Sequence, residues 1–459
     1  MMITKWIMGR DEIQLSSKER STHTYVIGQP GSGKSRAIES WVMQDIKAGK
    51  AVGVIDPHGD LYNNLLARLT DFPLVWNKVV LFDPLDEKWV VGFNPLDSVA
   101  DLPKERLAIY MTDIVIKVWK IQPENAPRMV WLLTNTLLAL SSLGLSILDL
   151  PRFLLDAESR LKLLPKISSE AVRNYFIYEF PQKQSSAMQW AAPILNKLGN
   201  LIFDPQIRTI FSGKSTINFR HIMDSGKILL VHLPKGIIGE ELSSLLAAFI
   251  VAMIQKAALS RTSTNTRQPF YLYLDEFQNY TTNNIKDILS ESRKYSLSLT
   301  MAHQYLDQLS TDLRSAVLNT IGTVVCFRVG YKDASTLVKE IFPSPEHMQS
   351  MRQDLRLRSL NNFMLPMLVP KLQSSNWDTL ARELVNLQVR EFWFRKRGLN
   401  QPIKQYTFDM PDPILTDEKG KNIQMLRDCS GAKYARLRSD LQPDDIDPDE
   451  HYSIPKWSI

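Results

Sequence analysis

The sequence predicts an α/β protein whose doubly wound, mostly parallel sheet is interrupted by an all-α inserted domain, and three observations lead to this. Short runs rich in Val, Ile, Leu and aromatic residues alternate with amphipathic helical patterns, as in βαβ units. Most of these runs are apolar on both faces, as strands are in a parallel sheet that helices cover on both sides. Between residues 101 and 219 the strand pattern stops and only helical patterns remain.

Composition places the chain among soluble globular proteins. Its 459 residues exceed one ordinary core, so we expect two or three packed units. Hydrophobic residues make up 44% and charged residues 23%, which is typical of this class. The net charge of +6 fits an anionic partner such as nucleic acid, and fits a slightly basic enzyme equally well. Two cysteines, Cys326 and Cys429, and seven scattered histidines argue against a zinc cluster or a disulfide framework and favour a reducing compartment.

Eight segments are predicted to be strands because they are short, apolar and rich in β-branched residues. They are residues 24–27, 51–56, 78–83, 227–233, 269–276, 296–302, 322–329 and 389–395. Ala37, Ile38, Trp41, Val42 and Ile46 recur at helical spacing directly after the first strand. The chain therefore begins its core with a strand followed by an amphipathic helix.

The chain divides into four segments. Residues 106–119, 128–143, 169–180 and 186–201 are predicted helices, separated by prolines. We predict a first core part at 1–100, an all-α insert at 101–219, a second core part at 220–410 and a polar C-terminal tail at 411–459. The acidic segment 443–450 of that tail is expected to be solvated.

The sequence predicts no transmembrane segment. The N-terminus lacks the apolar stretch of a secretory signal. The long segment 130–148 carries several Thr, Ser and Asn residues, and the apolar segment 245–254 is too short to span a bilayer. We expect both to be buried helices, in a cytoplasmic protein that reaches the inner face of the membrane only through partners.

The clearest motif is a phosphate-binding loop of the form G-x-x-x-x-G-K-[ST] between the first strand and its helix. Glycines let backbone N–H groups turn towards phosphate oxygens, and the following helix presents its positive N-terminus to the same anion. This context predicts a P-loop NTPase that binds ATP. The candidate nucleotide-binding residues are Gly28, Gln29, Pro30, Gly31, Ser32, Gly33, Lys34, Ser35 and Arg36.

Roles follow from residue chemistry. Lys34 is expected to reach the β- and γ-phosphates, and the Ser35 hydroxyl to bind Mg²⁺. The apolar strand at 269–276 ends in Asp275 and Glu276. Strand alternation would point these two carboxylates to opposite sides, so that Asp275 binds the Mg²⁺ shell while Glu276 polarises the attacking water as general base. A strand end with two solvated acids is the alternative, which the P-loop makes less favourable.

Two further strand ends carry polar residues. The strand at 296–302 is followed by His303 and Gln304. Since ligands of α/β sheets bind at the carboxyl ends of strands, Gln304 is predicted to sense the γ-phosphate or orient the water, with His303 a packed neighbour. Residues 56–60, Asp-Pro-His-Gly-Asp, follow the second strand and suit a tight turn as well as a catalytic role.

The ordered series of motifs resembles the HerA/FtsK superfamily of motor ATPases, and within it the motor domain of type IV coupling proteins of conjugative transfer. The likeness extends over most of residues 8–409. The segments that carry it are residues 28–35, 56–60, 93–96, 190–198, 227–236, 274–277, 293–295, 302–304 and 327–328. The P-loop alone is common to many NTPases, and the ordered series is far more specific.

The resemblance implies a RecA-like P-loop NTPase core and a six-subunit homo-oligomeric ring with ATP held between neighbours. It also implies that Arg293 is a finger that completes the next subunit's site and contributes roughly 10³–10⁵ in rate. Arg328 is a weaker candidate for such a contact, and a surface salt bridge is the alternative for both. Two family features are not expected here, the N-terminal transmembrane region of coupling proteins and the small N-terminal β-barrel of HerA proteins.

The predicted function is ATP-driven translocation of DNA in conjugative transfer or type IV secretion. Residues 389–397 mix aromatic and basic side chains that would suit DNA, although an edge strand with a basic end is the favoured interpretation. Lys235 is a further candidate contact. Three alternatives remain: a type IV secretion assembly ATPase that acts on protein, a HerA-like motor that works with a nuclease, and a nucleotide-dependent scaffold.

Overall fold

A computed structural model of the chain describes residues 6–10, 13–97, 103–261, 267–280, 289, 292–342, 377–399 and 401–441, with the backbone alone at 200, 292 and 293. The described strands are β1 (Trp6–Ile7), β2 (Gln14–Leu15), β3 (Thr24–Ile27), β4 (Ala51–Asp56), β5 (Val79–Phe82), β6 (Trp89–Val90), β7 (Ile228–His232), β8 (Phe270–Leu274), β9 (Leu297–His303), β10 (Thr323–Cys326), β11 (Glu391–Lys396), β12 (Ile403–Tyr406) and β13 (Arg436–Leu437).

Nine of these strands form one sheet in the order β12-β11-β10-β3-β9-β8-β4-β7-β5. The seven from β10 to β5 are parallel, and β11 is antiparallel to both of its neighbours. β3, which carries the P-loop, lies inside the parallel part, between β10 and β9. All eight predicted strands are confirmed, as is the α/β class with a mostly parallel sheet. β12, at the edge, was not predicted.

Helices cover the sheet and fill the region between β6 and β7. The α-helices are α1 (Ser17–Arg20), α2 (Lys34–Lys47), α3 (Asp60–Leu69), α4 (Lys104–Val118), α5 (Pro127–Leu143), α6 (Leu150–Leu155), α7 (Ala157–Leu163), α8 (Glu170–Asn174), α9 (Gln184–Phe203), α10 (Pro205–Phe211), α11 (Phe219–Asp224), α12 (Lys235–Ile238), α13 (Glu240–Leu259), α14 (Thr311–Thr320), α15 (Tyr331–Ile341), α16 (Trp377–Val385) and α17 (Asp417–Tyr434). A π-helical turn, Tyr175–Glu179, extends α8.

The described residues from 103 to 219 are helical and contain no strand. They are joined to the rest of the molecule through α4 and α13. The Tyr110 hydroxyl of α4 donates a hydrogen bond to Gln255 of α13, and the Lys256 ammonium lies 3.8 Å from the Tyr110 ring centre. Leu107 and Ile114 of α4 are fully buried in a core cluster that also contains residues of the sheet. The domain borders at 100 and 219 remain predictions.

Helix α13 is, in the described part of the chain, the one helix long and apolar enough to cross a membrane by length and composition, with a mean hydropathy of 1.8. In the structure 83% of the most apolar stretch of this helix is buried. The expectation of a buried helix at 245–254 is confirmed. The expected length is wrong, because buried residues such as Leu242 and Ala257 extend the helix to 20 residues.

The interpretation of residues 389–395 as an edge strand is wrong, because β12 pairs with the outer side of β11. Phe392 and Phe394 are fully buried, and Trp393 is 8% exposed. Phe392 lies 5.2 Å from Phe327, and Trp393 lies 4.9 Å from Phe342, measured between ring centres. These aromatic rings belong to the core and are not available to stack on bases.

Residues 417–434 of the predicted polar tail form α17, which packs beside β5. Leu426 is fully buried, and the Ser430 hydroxyl accepts a hydrogen bond from the backbone N–H of Leu81 at 2.9 Å. The Arg427 guanidinium lies 3.0 Å from Asp83 and 2.9 Å from Asp86. This helix was not predicted, since its sequence is polar almost throughout. The acidic segment 443–450 lies outside the described residues.

Candidate active site

The P-loop joins β3 to α2 and is shaped by glycine. Gly31 and Gly33 have φ angles of 72° and 108°, in the left-handed region that side chains disfavour, and Gly33 is the residue that precedes the first turn of α2. A Cβ added to Gly28 would lie 2.5 Å from the Cβ of Phe327, so only glycine fits there. The loop therefore adopts the backbone conformation that the motif predicts.

Lys34 is the first residue of α2 and is only 7% exposed. Its ammonium donates hydrogen bonds to the carbonyl oxygens of Gly28 and Gln29, the latter at 3.3 Å. Burial lowers the pKa of Lys34, and the negative charges of Asp275 and Glu276 oppose that shift. The cation of the P-loop and the two carboxylates thus interact across the same space.

Asp275 and Glu276 do not alternate as a strand would place them. β8 ends at Leu274, and Glu276 has a φ of 49°, in the left-handed region. Both residues are buried, at 7% and 5% exposure, and both line the same cavity. Strand alternation therefore does not decide their orientation, because the strand stops before them and the chain turns at Glu276, and their opposite directions stay a prediction.

Asp275 sits among like charges. Burial and the neighbouring carboxylates Asp56 and Glu276 together raise the pKa of Asp275 to about 7, against the opposing effect of the Lys34 charge. Asp56, the last residue of β4, accepts hydrogen bonds of 2.8 Å from the backbone N–H groups of His58 and Tyr62. It therefore fixes the turn before α3 and adds negative charge to the site as well.

Two glutamines donate hydrogen bonds to the Glu276 carboxylate. The Gln304 side-chain amide donates to Oε1 at 2.8 Å, and the Gln278 amide donates to Oε2 at 2.5 Å. With both carboxylate oxygens occupied by donors, the orientation of Glu276 is fixed from two sides. Gln304 was singled out by its place after β9, whereas Gln278 was missed because nothing in the sequence marks the 3₁₀ turn at Phe277–Asn279.

His303 is a packed residue behind the loop. It is fully buried, and its Nε2 lies 2.5 Å from the Tyr25 hydroxyl. Phe277 packs edge-on against its ring at 5.1 Å between ring centres. Burial lowers the pKa of His303 to about 3, helped by the charge of Lys34, so the imidazole is neutral at physiological pH. It supports β3 and β9 rather than reaching the cavity.

These elements enclose one open cavity of about 420 Å³, a size typical of small-molecule sites. Its lining includes most of the predicted nucleotide-binding residues and all three polar residues predicted from the ends of β8 and β9. They are Gln29, Pro30, Gly31, Gly33, Lys34, Ser35, Arg36, Asp275, Glu276 and Gln304. Ser35 and Asp275 therefore share a crevice although 240 residues of chain separate them.

Four predicted residues stand apart from this lining. Gly28 and Ser32 lie in the loop but not on the cavity wall, and the buried Ser32 hydroxyl has no hydrogen-bond partner among the residues that the structure describes. The side chain of Arg293 lies outside the described part of the chain, although its backbone is in the 3₁₀ turn Ser292–Tyr295. Arg328 accepts, through its backbone oxygen, a 2.8 Å hydrogen bond from the Gln29 N–H.

Sequence reasoning missed one face of the cavity. Val389 and Arg390, at the entrance to β11, line it beside the P-loop. The Arg390 N–H donates to the Ser32 carbonyl at 2.8 Å. Nothing in the sequence indicates that the entrance to an antiparallel strand lies against the P-loop, since that contact follows from the position of β11 in the sheet.

The charges of the site suit a divalent cation. Asp275 and Glu276 interact with the Lys34 ammonium, and Asp56 adds a third carboxylate beside Asp275, so that acidic groups outnumber the cation in a buried place. Among the described residues no three His, Cys, Asp or Glu side chains form a closed metal cluster. Mg²⁺ is typically held by one or two protein oxygens together with phosphate and water, so Ser35 and Asp275 fit its needs.

Solved structures share this fold. The unbound bacterial conjugative coupling protein TrwB aligns over 88% of this chain and 89% of its own, with 16% identity and a TM-score of 0.61. TrwB in complex with ADP and Mg²⁺ aligns with 15% identity and a TM-score of 0.59, over 89% and 91% of the two chains. VirB4 of Thermoanaerobacter pseudethanolicus aligns over 89% of this chain and 97% of its own, with 14% identity and a TM-score of 0.57. At these identities the alignments confirm the RecA-like P-loop fold.

Two comparisons of sequence bear on the family of this chain. Over 78 residues the chain is 32% identical to the DNA repair and recombination protein RadB of Methanobrevibacter smithii, which is 17% of this chain and 33% of RadB. The chain thus spans about a third of the length of that relative. The profile of the family described as "Helicase HerA, central domain" matches residues 6–257, more than half of the chain. The chain therefore belongs to the HerA central-domain family.

Proposed function

We propose that this protein binds ATP with Mg²⁺ and hydrolyses it to drive the translocation of DNA in conjugative transfer or type IV secretion. The observation that carries the proposal is the single cavity in which the P-loop meets Asp275, Glu276 and Gln304. Membership of the HerA family and the shared fold with TrwB and VirB4 support a motor ATPase.

Each residue has a chemical task in this proposal. Backbone N–H groups of the loop and the Lys34 ammonium bind the phosphates, after Lys34 leaves the carbonyls of Gly28 and Gln29. Ser35 and Asp275 hold Mg²⁺, which neutralises phosphate charge when bound. Glu276, oriented by Gln304, accepts a proton from the attacking water. Arg293 reaches the site of the next subunit in a ring of six.

The link from chemistry to movement is proposed to pass through the residues beside Glu276. A second cavity, of about 760 Å³, is lined by Gln278 and Gln308 among other residues. Gln278 donates to Glu276, and the Gln308 oxygen accepts from the backbone N–H of Gln304 at 3.1 Å. A change at Glu276 therefore alters the wall of this cavity directly.

The second cavity suits an anionic polymer. Three lysines and two glutamates line it, together with several amide and hydroxyl groups. The lysines are Lys117, Lys120 and Lys197. Tyr305 also lines it and is 50% exposed, so its ring is available for stacking. We assign this cavity to the DNA path of the proposed motor.

The decisive experiment measures ATP hydrolysis with and without DNA. We expect DNA to stimulate hydrolysis and the stimulation to fall with rising salt, since phosphate contacts are salt-dependent. Lys34→Ala should remove both nucleotide binding and hydrolysis. Lys120→Gln should weaken the DNA response, while Lys166→Gln, which removes an exposed lysine outside the second cavity, should not. DNA that neither binds nor stimulates would refute translocation.

A second candidate function is a secretion ATPase that acts on protein, and the fold shared with VirB4 favours it. This candidate predicts ATP hydrolysis without a DNA response and co-purification with secretion components. The HerA family name supports a third, a DNA-processing motor that works with a nuclease. That candidate predicts DNA stimulation that grows when the nuclease is present.

The surroundings of the motor are part of the proposal. We assign the protein to the cytoplasm, at the inner face of the membrane where membrane-bound secretion or conjugation partners hold it. The core parts 1–100 and 220–410 would supply the site, and the all-α part 101–219 would form one wall of the second cavity. Lys117 and Lys197 place helices α4 and α9 on that wall.

A further inference from the structure

Two arginines at the rim of the nucleotide cavity form ion pairs with the same acidic segment. We name residues 409–412, Asp-Met-Pro-Asp, the acidic strap. Asp409 lies 2.6 Å from the Arg390 guanidinium, and Asp412 contacts the guanidinium of Arg36. The strap is tied down at Pro411, whose carbonyl accepts a hydrogen bond of 2.6 Å from Arg68. Both arginines line the cavity.

Sheet order places Arg390 at the end of the cavity away from the catalytic carboxylates. β8, which leads to Asp275 and Glu276, lies two strands from β3 on one side. β11, which begins directly after Arg390, lies two strands from β3 on the other side. Because β11 is antiparallel, its entrance lies at the same edge of the sheet as the P-loop. In the proposed site the γ-phosphate would lie near Glu276, which leaves Arg390 nearer to the α- and β-phosphates.

The backbone of Arg390 is fixed against the P-loop itself. Its N–H donates to the Ser32 carbonyl, and its φ of 72° is unusual for a residue other than glycine. A Cβ added to Gly33 would lie 3.1 Å from the Arg390 Cα. Such backbone strain persists where surrounding contacts enforce it, and it is concentrated at functional sites. The Arg390 side chain is 39% exposed, which leaves it room to exchange one partner for another.

We infer that Arg390 is a nucleotide-binding residue which grips the α- and β-phosphates, and that Asp409 competes with the nucleotide for it. The inference rests on the proposed nucleotide site and adds a contact and a means of regulation to it. Arginine suits this task because its planar fork binds phosphate oxygens in pairs. Asp409, 65% exposed, holds the same fork when phosphate is absent and adds a negative charge that repels phosphate.

The test measures equilibrium binding of a fluorescent ADP and of a fluorescent, non-hydrolysable ATP analogue to the full chain. Arg390→Ala should weaken both ligands by the same factor, roughly tenfold or more, as expected for losing a charge-assisted bond to phosphate. Arg390→Lys should fall between it and the wild type. Arg395→Ala is the matched control, because it removes an exposed arginine farther along β11 and outside the cavity, and should leave binding unchanged.

Competition between Asp409 and the nucleotide for Arg390 predicts a separate change in ADP affinity. Asp409→Asn should tighten ADP binding by about two- to fivefold at low ionic strength, the range of an exposed ion pair. The same change in an Arg390→Ala background should have no effect, because the arginine that Asp409 competes for is gone. Thermal unfolding of each variant separates a lost contact from a lost fold.

Several outcomes would overturn the inference. ADP binding by Arg390→Ala at wild-type strength would remove the contact, and a loss confined to the triphosphate would place Arg390 at the γ end instead. Unchanged or weaker binding by Asp409→Asn would remove the competition. A wild-type protein that binds no nucleotide, together with an inert Lys34→Ala, would refute the proposed function itself and is distinguishable from these results.

Discussion

At the scale of single residues, Glu276 is defined by its two amide partners. A carboxylate that accepts from Gln304 and Gln278 holds one orientation, and a general base must be oriented before it can be efficient. In a buried place these bonds also replace the hydration that the carboxylate has lost. The unusual left-handed backbone at Glu276 is what brings the side chain within reach of both amides.

Glu276→Gln should lower the turnover number by roughly 10²–10⁴ and leave nucleotide affinity within about twofold. The amide keeps the shape of the side chain and can still accept from Gln304, but it cannot take a proton from water. Steady-state hydrolysis and binding of a non-hydrolysable analogue measure the two quantities. Glu158→Gln, which removes an exposed carboxylate paired with Lys162, serves as control. Full activity in Glu276→Gln would contradict the assignment.

Asp275 should make the nucleotide-free protein less stable as pH rises. Its pKa is raised from 3.8 to about 7, so between these values the native state holds a proton that the unfolded state has lost. Stability therefore falls with rising pH through this window, and the full cost is present above pH 7. Asp275→Asn should raise the free energy of unfolding at pH 8 by on the order of 2–4 kcal/mol, with the gain vanishing near pH 4.

Chemical denaturation across this pH range, with chelator and without nucleotide, measures the effect. Asp60→Asn provides the comparison, since it removes an exposed carboxylate from the rim of the same cavity and should be nearly neutral at all pH values. A gain for Asp275→Asn that is constant with pH would show that shape, not charge, is responsible.

At the scale of elements, α17 is anchored by one arginine. Arg427 bridges Asp83 and Asp86, and Asp83 also accepts from His232 at 2.9 Å. His232 in turn stacks on Tyr62 of α3 at 4.6 Å between ring centres. Burial opposes ionisation of Asp83, but the hydrogen bond from His232 and the charge of Arg427 outweigh it and keep the pKa of Asp83 below 3.8. The network ties α17 to the segment after β5, to β7 and to α3, and the turn before α3 lines the nucleotide cavity.

Arg427→Ala should destabilise the protein by about 2–4 kcal/mol at pH 7, because it leaves the buried Asp83 without its cation. Since the pKa of Asp83 is lowered in the folded state, this contribution is present above pH 3.8 and is lost as pH falls below it. Denaturant unfolding at pH 7 and at about pH 2.5 measures the cost with Asp83 ionised and the loss of that cost as Asp83 becomes protonated. Lys419 lies on the same helix as Arg427 and forms a more exposed ion pair with Asp71. Lys419→Ala should cost less than about 0.5 kcal/mol. Equal costs for the two variants would contradict the anchor.

Helices and strands could be predicted from the sequence where their buried faces are apolar. β3 and β4 were found with correct bounds because both faces of each are apolar and covered. β12 was missed because only Gln405 is buried in it, so it lacks an apolar pattern. α17 was missed for the same reason, since its anchors are Leu426 and the polar Arg427, which no hydrophobic period marks.

Site residues that belong to a local sequence motif were predictable. Site residues that reach the cavity only through the order of the strands in the sheet were not. Lys34 and Ser35 follow from the P-loop pattern, and Gln304 follows from its place at the end of β9. Arg390 and Asp409 could not be found, because their positions depend on the order and direction of β11 and on a strap that has no secondary structure. The mutual orientation of Asp275 and Glu276 depended on the residue at which β8 ends.

At the scale of the whole molecule, one chain supplies only part of the proposed catalytic centre. The cavity is open, and among the described lysines and arginines that line it, Arg36 and Arg390 are paired with carboxylates, which leaves Lys34 as the cation nearest to the catalytic residues. Hydrolysis in motor ATPases generally needs a positive group near the γ-phosphate in the transition state. The resemblance to ring ATPases implies that Arg293 of a neighbouring subunit is that group, and this proposal predicts that hydrolysis requires assembly.

Mixing two inactive variants tests this division of labour. Arg293→Ala should bind ATP normally yet lose roughly 10³-fold or more in turnover, and Glu276→Gln should be similarly inactive. In mixed rings some interfaces pair an intact Glu276 from one subunit with an intact Arg293 from its neighbour, so hydrolysis should reappear and depend on the mixing ratio. If Arg293 acted within its own subunit, every site in the mixture would lack one group and no activity would return. Measured turnover across mixing ratios separates these outcomes, and Lys34→Ala in place of Arg293→Ala is the control, because neither partner of that mixture has both a nucleotide-binding Lys34 and an intact Glu276. A mixture that stays inactive although mixed rings form would remove Arg293 from the shared site.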